Sequence, residues 1–242
     1  MTHLYINPKF AGHRFDPTED FLLFLHAQRT GGSALRHAIA RAWSREDLYC
    51  TQFVDKFKHW HVVEQETLAP FKGFAGHSNY AERDFDRNVL MITLLRHPVM
   101  RIISLYYYVR GRDNHALNAQ AKAMDLGEFY RTVRLEKKTY FDNVMCRRIC
   151  GKPNFKMAKE RIETDFWMVG MNEHLGEFVT ALLDGLGEPQ EELPLLKSDA
   201  DRYAEELKDS ELVAEIRENN NHDIKLFDYM NETYFNSRYA YP

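Results

Sequence analysis

Cysteine is scarce in this chain. Three occur among 242 residues, Cys50, Cys146 and Cys150. An odd and small number builds no disulfide framework. Cys146 and Cys150 are four apart and so neighbours on one helix face, but a structural zinc would need two further ligands. They are expected as buried or half-buried thiols, with no metal. Long apolar runs are also lacking. FLLFL, residues 21–25, is too short for a membrane span or the core of a secretory leader, and no basic region precedes it. A complete chain of this kind is expected in the cytoplasm. Excess positive charge is missing too: 32 lysines and arginines face 36 acidic residues, a net charge of −4. No global basic field is available for nucleic acid, so any anion site has to be local. No internal repeat or low-complexity segment is visible.

What is present suits one domain over residues 1–242, with 44% apolar and 28% charged residues. Residues 1–20 read as irregular. Residues 21–27 read as a buried strand, because FLLFL is continuous rather than alternating. Residues 33–43 read as a helix with Leu35, Ala38, Ile39, Ala42 and Trp43 on one face. HWHVV could form a short strand, with His59 and His61 on one face, and EQETLAPF a helical turn. FKGFAGH (71–77) and NVLMITLL (88–95) read as strands. Pro98 opens a helix whose core face is Val99, Ile102, Ile103, Tyr106 and Tyr107, with Arg101, Ser104 and Tyr108 beside it. The rest is mostly helical, at 125–134, 139–150, 154–163, 174–186, 199–219 and about 221–236, with one strand, FWMVG, at 166–170. EPQEEL (188–193) reads as an acidic surface loop. This alternation predicts an α/β, three-layer, P-loop-like fold with a mostly parallel sheet and a helical C-terminal half.

Ligands of such sheets bind at the carboxyl ends of the strands. Three features fall there: QRTGGS, GHSNY and RHP. In the first, Gly31 and Gly32 let backbone N–H groups approach an anion, Thr30 and Ser33 add hydroxyls, and Arg29 adds charge. A plain turn capped by Ser33 fits the loop alone equally well. Arg96 closes a buried strand, where a guanidinium suits a phosphate held bidentately or a structural carboxylate pair. His77 ends a strand, where an imidazole serves as a general base or as a hydrogen-bonded structural group. His59 and His61 lack a third metal ligand. Tyr106, Tyr107 and Tyr108 read as core and rim. Arg147 and Arg148 could meet an anionic substrate, with Arg148 read as a solvated helix charge.

HAQRTGGSAL, GFAGHSNY and ITLLRHPVMRIISLYYYVR, in this order, resemble the sulfotransferases that use 3′-phosphoadenosine-5′-phosphosulfate (PAPS). The similarity is greatest to the carbohydrate branch, including the heparan/uronyl 2-O-sulfotransferases and bacterial relatives. It runs from about residue 21 to 186, and FDNVMCRRICG and FWMVGMNEHLGEFV are similar to later family segments. The resemblance implies sulfuryl transfer from PAPS to a hydroxyl acceptor, a glycan, without a metal, leaving adenosine 3′,5′-bisphosphate. It places the catalytic base on His77. It places the 5′-phosphosulfate on Arg29, Thr30, Gly31, Gly32 and Ser33, with Arg29 also acting in catalysis. It places the 3′-phosphate on Arg96 and Ser104. The chain departs from the family at Arg29, where lysine is usual, and at His97, where an acid or amide is usual. A non-catalytic nucleotide binder of the same fold is the alternative, and a P-loop kinase, which needs the lysine this loop lacks, is a more remote one.

Overall fold

The structure, a computed structural model, describes residues 3–50, 53–54, 58–189 and 203–235. Six strands form one sheet in the order β1-β6-β5-β2-β4-β3. They are β1 (Leu4–Ile6), β2 (Asp20–Leu25), β3 (Leu48–Cys50), β4 (Gly73–Gly76), β5 (Asn88–Leu95) and β6 (Phe166–Met171). β1 runs antiparallel to β6, and every other pairing is parallel. The helices are α1 (Gly32–Ala42), α2 (Gln65–Leu68), α3 (Pro98–Arg110), α4 (Asn118–Ala123), α5 (Leu126–Glu136), α6 (Lys138–Phe141), α7 (Val144–Cys150), α8 (Phe155–Asp165), α9 (Leu175–Gly185), α10 (Ser210–Asn219) and α11 (Asn221–Met230). The expected three-layer α/β arrangement is present. None of these helices is long and apolar enough to cross a membrane.

The central strand explains the layering. All six residues of β2 are buried, because helices cover both faces of the sheet. Its side chains alternate between two cores. Leu22 and Phe24 pack with Leu35 and Ile39 of α1 and Phe178 and Leu182 of α9. Phe21, Leu23 and Leu25 pack with Cys146 and Ile149 of α7, Ile162 of α8 and Phe227 of α11. A third core, built from Val99, Ile103, Phe129, Val133 and Ile216, joins α3, α5 and α10. All three cysteines are buried free thiols, as composition suggested.

Several local expectations are corrected. β1 lies inside the segment read as irregular; three residues carry too little pattern, and the strand exists because β6 offers an edge to pair with. HWHVV is a 3-10 turn over Trp60–Val62, not a strand, with Trp60 buried and His59 and His61 exposed. The single helix expected over 139–150 is two, broken at Asn143, which adopts left-handed φ of 50°. The Asn143 side chain compensates by accepting hydrogen bonds from the backbone of His222 (2.9 Å) and Asp223 (3.1 Å). Asp223 returns the interaction, accepting from Met145 N (2.9 Å) and Cys146 N (2.8 Å). Each helix start thus caps the other, satisfying N–H groups that no intrahelical carbonyl reaches. The C-terminal helix ends at Met230 and continues as a π-turn over Asn231–Phe235. Parts of the segments expected at 188–193, 199–219 and 221–236 lie outside the described residues; within them, α10 begins only at Ser210.

Candidate active site

After β2 the chain moves to the sheet edge, returns as β4 on one side of β2, and crosses to β5 on the other. The carboxyl ends of β2, β4 and β5 therefore meet at the reversal point, where open parallel sheets bind ligands. The three segments singled out in the sequence are brought into contact there. His77 Nδ1 lies 3.0 Å from the His26 carbonyl. Arg96 donates through Nη1 to the Arg29 carbonyl at 2.7 Å. Arg29 donates through Nε and Nη2 to Ser104 Oγ, each at 3.1 Å.

The loop backbone explains its two glycines. Gly31 has φ of 93° and caps α1, a conformation costly for a side chain. Gly32 is needed for space, since a Cβ there would lie 2.1 Å from the His26 ring. Arg29 also takes positive φ, 68°, and its guanidinium rests on Ser104. Thr30 is buried and donates its hydroxyl to the Ala27 carbonyl at 2.9 Å, so that hydrogen shapes the loop. Ser33 is exposed, with Arg36 Nη2 3.4 Å from its oxygen. The first N–H groups of α1, at Gly32 and Ser33, have no intrahelical acceptor and carry the positive end of the helix dipole.

Arginines surround this loop. Arg96 and Ser104 are buried. The Arg29 guanidinium sits 4.4 Å over the Tyr108 ring as well as on Ser104, and borders a cavity of about 220 Å³ lined by Ser104, Tyr107, Tyr108, Arg112 and Tyr203. Sequence reasoning did not single out Arg36, and read Arg148 as solvated. The structure corrects the second reading. Arg148 is largely enclosed, donating to Asn79 Oδ1 (2.5 Å) and Gln28 Oε1 (3.5 Å), and burial with the nearby Arg101 pushes it down to about 10. Burial also lowers Arg36. Neither has a carboxylate partner among the described residues, and each keeps a buried Nε–H without an acceptor. Buried cations without counter-charge are unfavourable alone and favourable around an anion.

His77 faces that charge. The His26 carbonyl can only accept, so Nδ1 of His77 carries the proton and Nε2 is left with its lone pair. Burial, aided by Arg148, Arg36 and His59, lowers its pKa to about 4, so the ring is neutral near pH 7. His26 lies behind it, ring centroids 4.4 Å apart, with Phe24 at 5.3 Å on the other side. Both His26 ring nitrogens are buried and lack a hydrogen-bond partner among the described residues, and burial, His77 and three arginines hold it neutral. A histidine at a strand end was a visible signal for His77. His26 stands just past the end of β2 with the same signal, inside the segment read as a strand, and was not singled out.

Next to Arg96, His97 opens α3 without a side-chain cap. It faces inward, its Nε2 3.4 Å from Arg217 Nη1, and burial lowers it to about 3.

No family model matches the chain. Over 145 residues it is 25% identical to a Drosophila melanogaster protein described as "Heparin sulfate O-sulfotransferase", a match that takes in 54% of this chain. The aligned part spans 41% of that protein's length. The chain thus has a distant, partial relationship to a sulfotransferase.

Proposed function

We propose that the protein transfers a sulfuryl group from PAPS to a hydroxyl of a carbohydrate. The observation that carries this reading is the neutral His77, with its Nε2 lone pair, beside the enclosed Arg36 and Arg148, which have no carboxylate partner among the described residues. The residues present fit PAPS, because N–H groups of Arg36 and Arg148 await acceptors and Gly31 and Gly32 keep side chains off the loop. When bound, PAPS supplies an activated sulfuryl group and a bisphosphate leaving group. Gly32, Ser33 and the start of α1 hold the 5′ phosphosulfate. Arg36 and Arg148 supply charge there, as positioning and electrostatics dominate transfers of this type. Arg29 moves from the 5′ side expected of it to the 3′ side, because its guanidinium rests on Ser104. With Ser104 and the cavity beside them, it receives the 3′-phosphate end in place of Arg96. Arg96 holds the loop in shape through the Arg29 carbonyl. His77 accepts the acceptor hydroxyl proton at Nε2 while the oxygen attacks sulfur in line. The distant likeness to the fly sulfotransferase supports both the transfer and the glycan acceptor.

A second reading, a binder without turnover, is favoured by one observation: Arg29 stands where lysine is usual, and its guanidinium is held on Ser104. Labelled transfer from PAPS across a panel of glycans separates the two. Transfer to at least one glycan, abolished in His77→Ala, supports the enzyme. Saturable binding of adenosine 3′,5′-bisphosphate with no transfer supports the binder, and absence of both overturns the nucleotide assignment.

A further inference from the structure

A second cluster of ligating side chains lies apart from the residues around His77. His3 precedes β1, His174 ends the 3-10 turn after β6, and Glu177 stands in the first turn of α9. The β1–β6 pairing, with Leu4 opposite Gly170, brings the first of these to the other two. His3 Nδ1 lies 3.0 Å from Glu177 Oε1, and His174 Nδ1 lies 3.4 Å from the same oxygen. The His3 backbone N–H also donates to Glu177 Oε2 at 3.1 Å. One ligand atom from each residue lies within 4.8 Å of the others.

These separations have the size of the edges of a coordination shell. Bonds of about 2.0–2.2 Å to nitrogen and oxygen set adjacent ligands about 2.9–3.5 Å apart. Two imidazoles with one carboxylate suit zinc, cobalt, nickel or copper, whereas magnesium and calcium prefer all-oxygen shells. The imidazole rings are stacked, centroids 3.9 Å apart and 6° from parallel. Convergence on an ion requires one ring to turn, and the partly exposed His3 side chain has room to do so. Binding displaces any protons held between the Nδ1 atoms and the carboxylate.

The location gives such a site a consequence. Asn172, two residues before His174, places its Oδ1 only 2.8 Å from where a Gly31 side chain would begin, and Leu175 is next to it at 3.5 Å. The segment carrying two of the ligands is therefore a wall of the glycine loop. We propose that His3, His174 and Glu177 form a site for a divalent transition-metal ion that fastens the start of the chain to the wall of the anion-binding loop. This site is independent of the sulfuryl-transfer reading.

The test uses the full, untagged chain stripped with chelator and titrated with Co²⁺ and Zn²⁺, read by visible absorption, calorimetry and thermal denaturation. One equivalent is expected to bind, with a denaturation midpoint that rises with metal concentration. His174→Ala and the near-isosteric Glu177→Gln should each weaken binding tenfold or more. His77→Ala, and a double alanine variant of the exposed His59 and His61, should bind as the parent does. The proposal is overturned by absence of stoichiometric binding, by unchanged affinity in Glu177→Gln, or by loss of binding in the His59/His61 variant. Circular dichroism of each variant identifies any loss of fold, and Glu177→Gln keeps the test decisive if His174→Ala does not fold.

Discussion

His77 and His26 are joined by one hydrogen bond that decides what each can do. The Nδ1–H of His77 donates to the His26 main-chain oxygen at 3.0 Å, and the two rings face one another at 4.4 Å. The bond orients the His77 lone pair. The packing buries the His26 ring and leaves the His77 ring partly exposed.

Replacing His77 is expected to separate binding from chemistry. His77→Ala should lower kcat by about 10²–10⁴, the range for removal of a general base. The affinity for adenosine 3′,5′-bisphosphate, by calorimetry, should change less than threefold. Turnover near the parent level would remove the base role.

The pKa of His77 should rise when an anion binds. Burial, Arg148 and Arg36 hold it down, and an anion among those arginines offsets the last two. NMR titration of the imidazole should give a value near 4 for the free protein and a higher one with the bisphosphate. A value that falls or stays fixed would place the anion elsewhere.

Acid should destabilise the fold in a definite window. His77 and His97 have folded values of about 4 and about 3, below the ordinary 6.5. Between these values and 6.5 the unfolded chain binds more protons than the folded one, so stability rises with pH there. It is present above pH 6.5 and lost as pH falls toward the folded values. Urea denaturation at pH 7.5 and pH 5 should show the loss. His97→Gln should reduce the pH slope, and an unchanged slope would show that His97 is not held neutral.

Arg148 should matter far more than its helix neighbour Arg147, which donates to the Asp142 carbonyl. Arg148→Ala should weaken bisphosphate binding by about tenfold or more, the scale of a charge-assisted contact of about 1.5–3 kcal/mol. Arg147→Ala should have a smaller effect. Equal effects would return Arg148 to the role of a helix-surface charge.

Gly32 and His26 should behave as a coupled pair. Gly32→Ala puts a methyl into the His26 ring and should cost about 1–3 kcal/mol by overpacking. His26→Ala opens that space, so the double variant should recover much of the loss. Additive costs in chemical denaturation would show that the ring does not set the glycine requirement.

Much of the frame was legible in the chain. NVLMITLL is β5 to the residue, and FLLFL lies within β2, because strands buried on both faces must be continuously apolar. Pro98 marks the start of α3, where a missing N–H costs nothing. Arg29, His77 and Arg96 were singled out near strand ends, and Ser104 by its place two turns into the helix after Arg96 and by the family resemblance. Their contacts did not. The break at Asn143 was hidden because the partner that makes its left-handed backbone tolerable lies about 80 residues away. Arg36 and Arg148 were hidden because a charge on a short helix looks the same whether it faces water or a neighbouring loop.

The sequence by itself determined the central strands β2, β4, β5 and β6, the helices that follow β2 and β5, the glycine loop, and which polar side chains stand at the carboxyl ends of those strands, but not the short edge strands β1 and β3. The features it determined depend on local periodicity and backbone freedom, which neighbours in the chain dictate. Tertiary structure alone decided which of those side chains meet, which lose water, and which way they point. It placed Arg29 on Ser104 and Arg148 near His77, and it held His77 neutral. Such properties depend on burial and on charges brought from distant segments, and no local pattern encodes them.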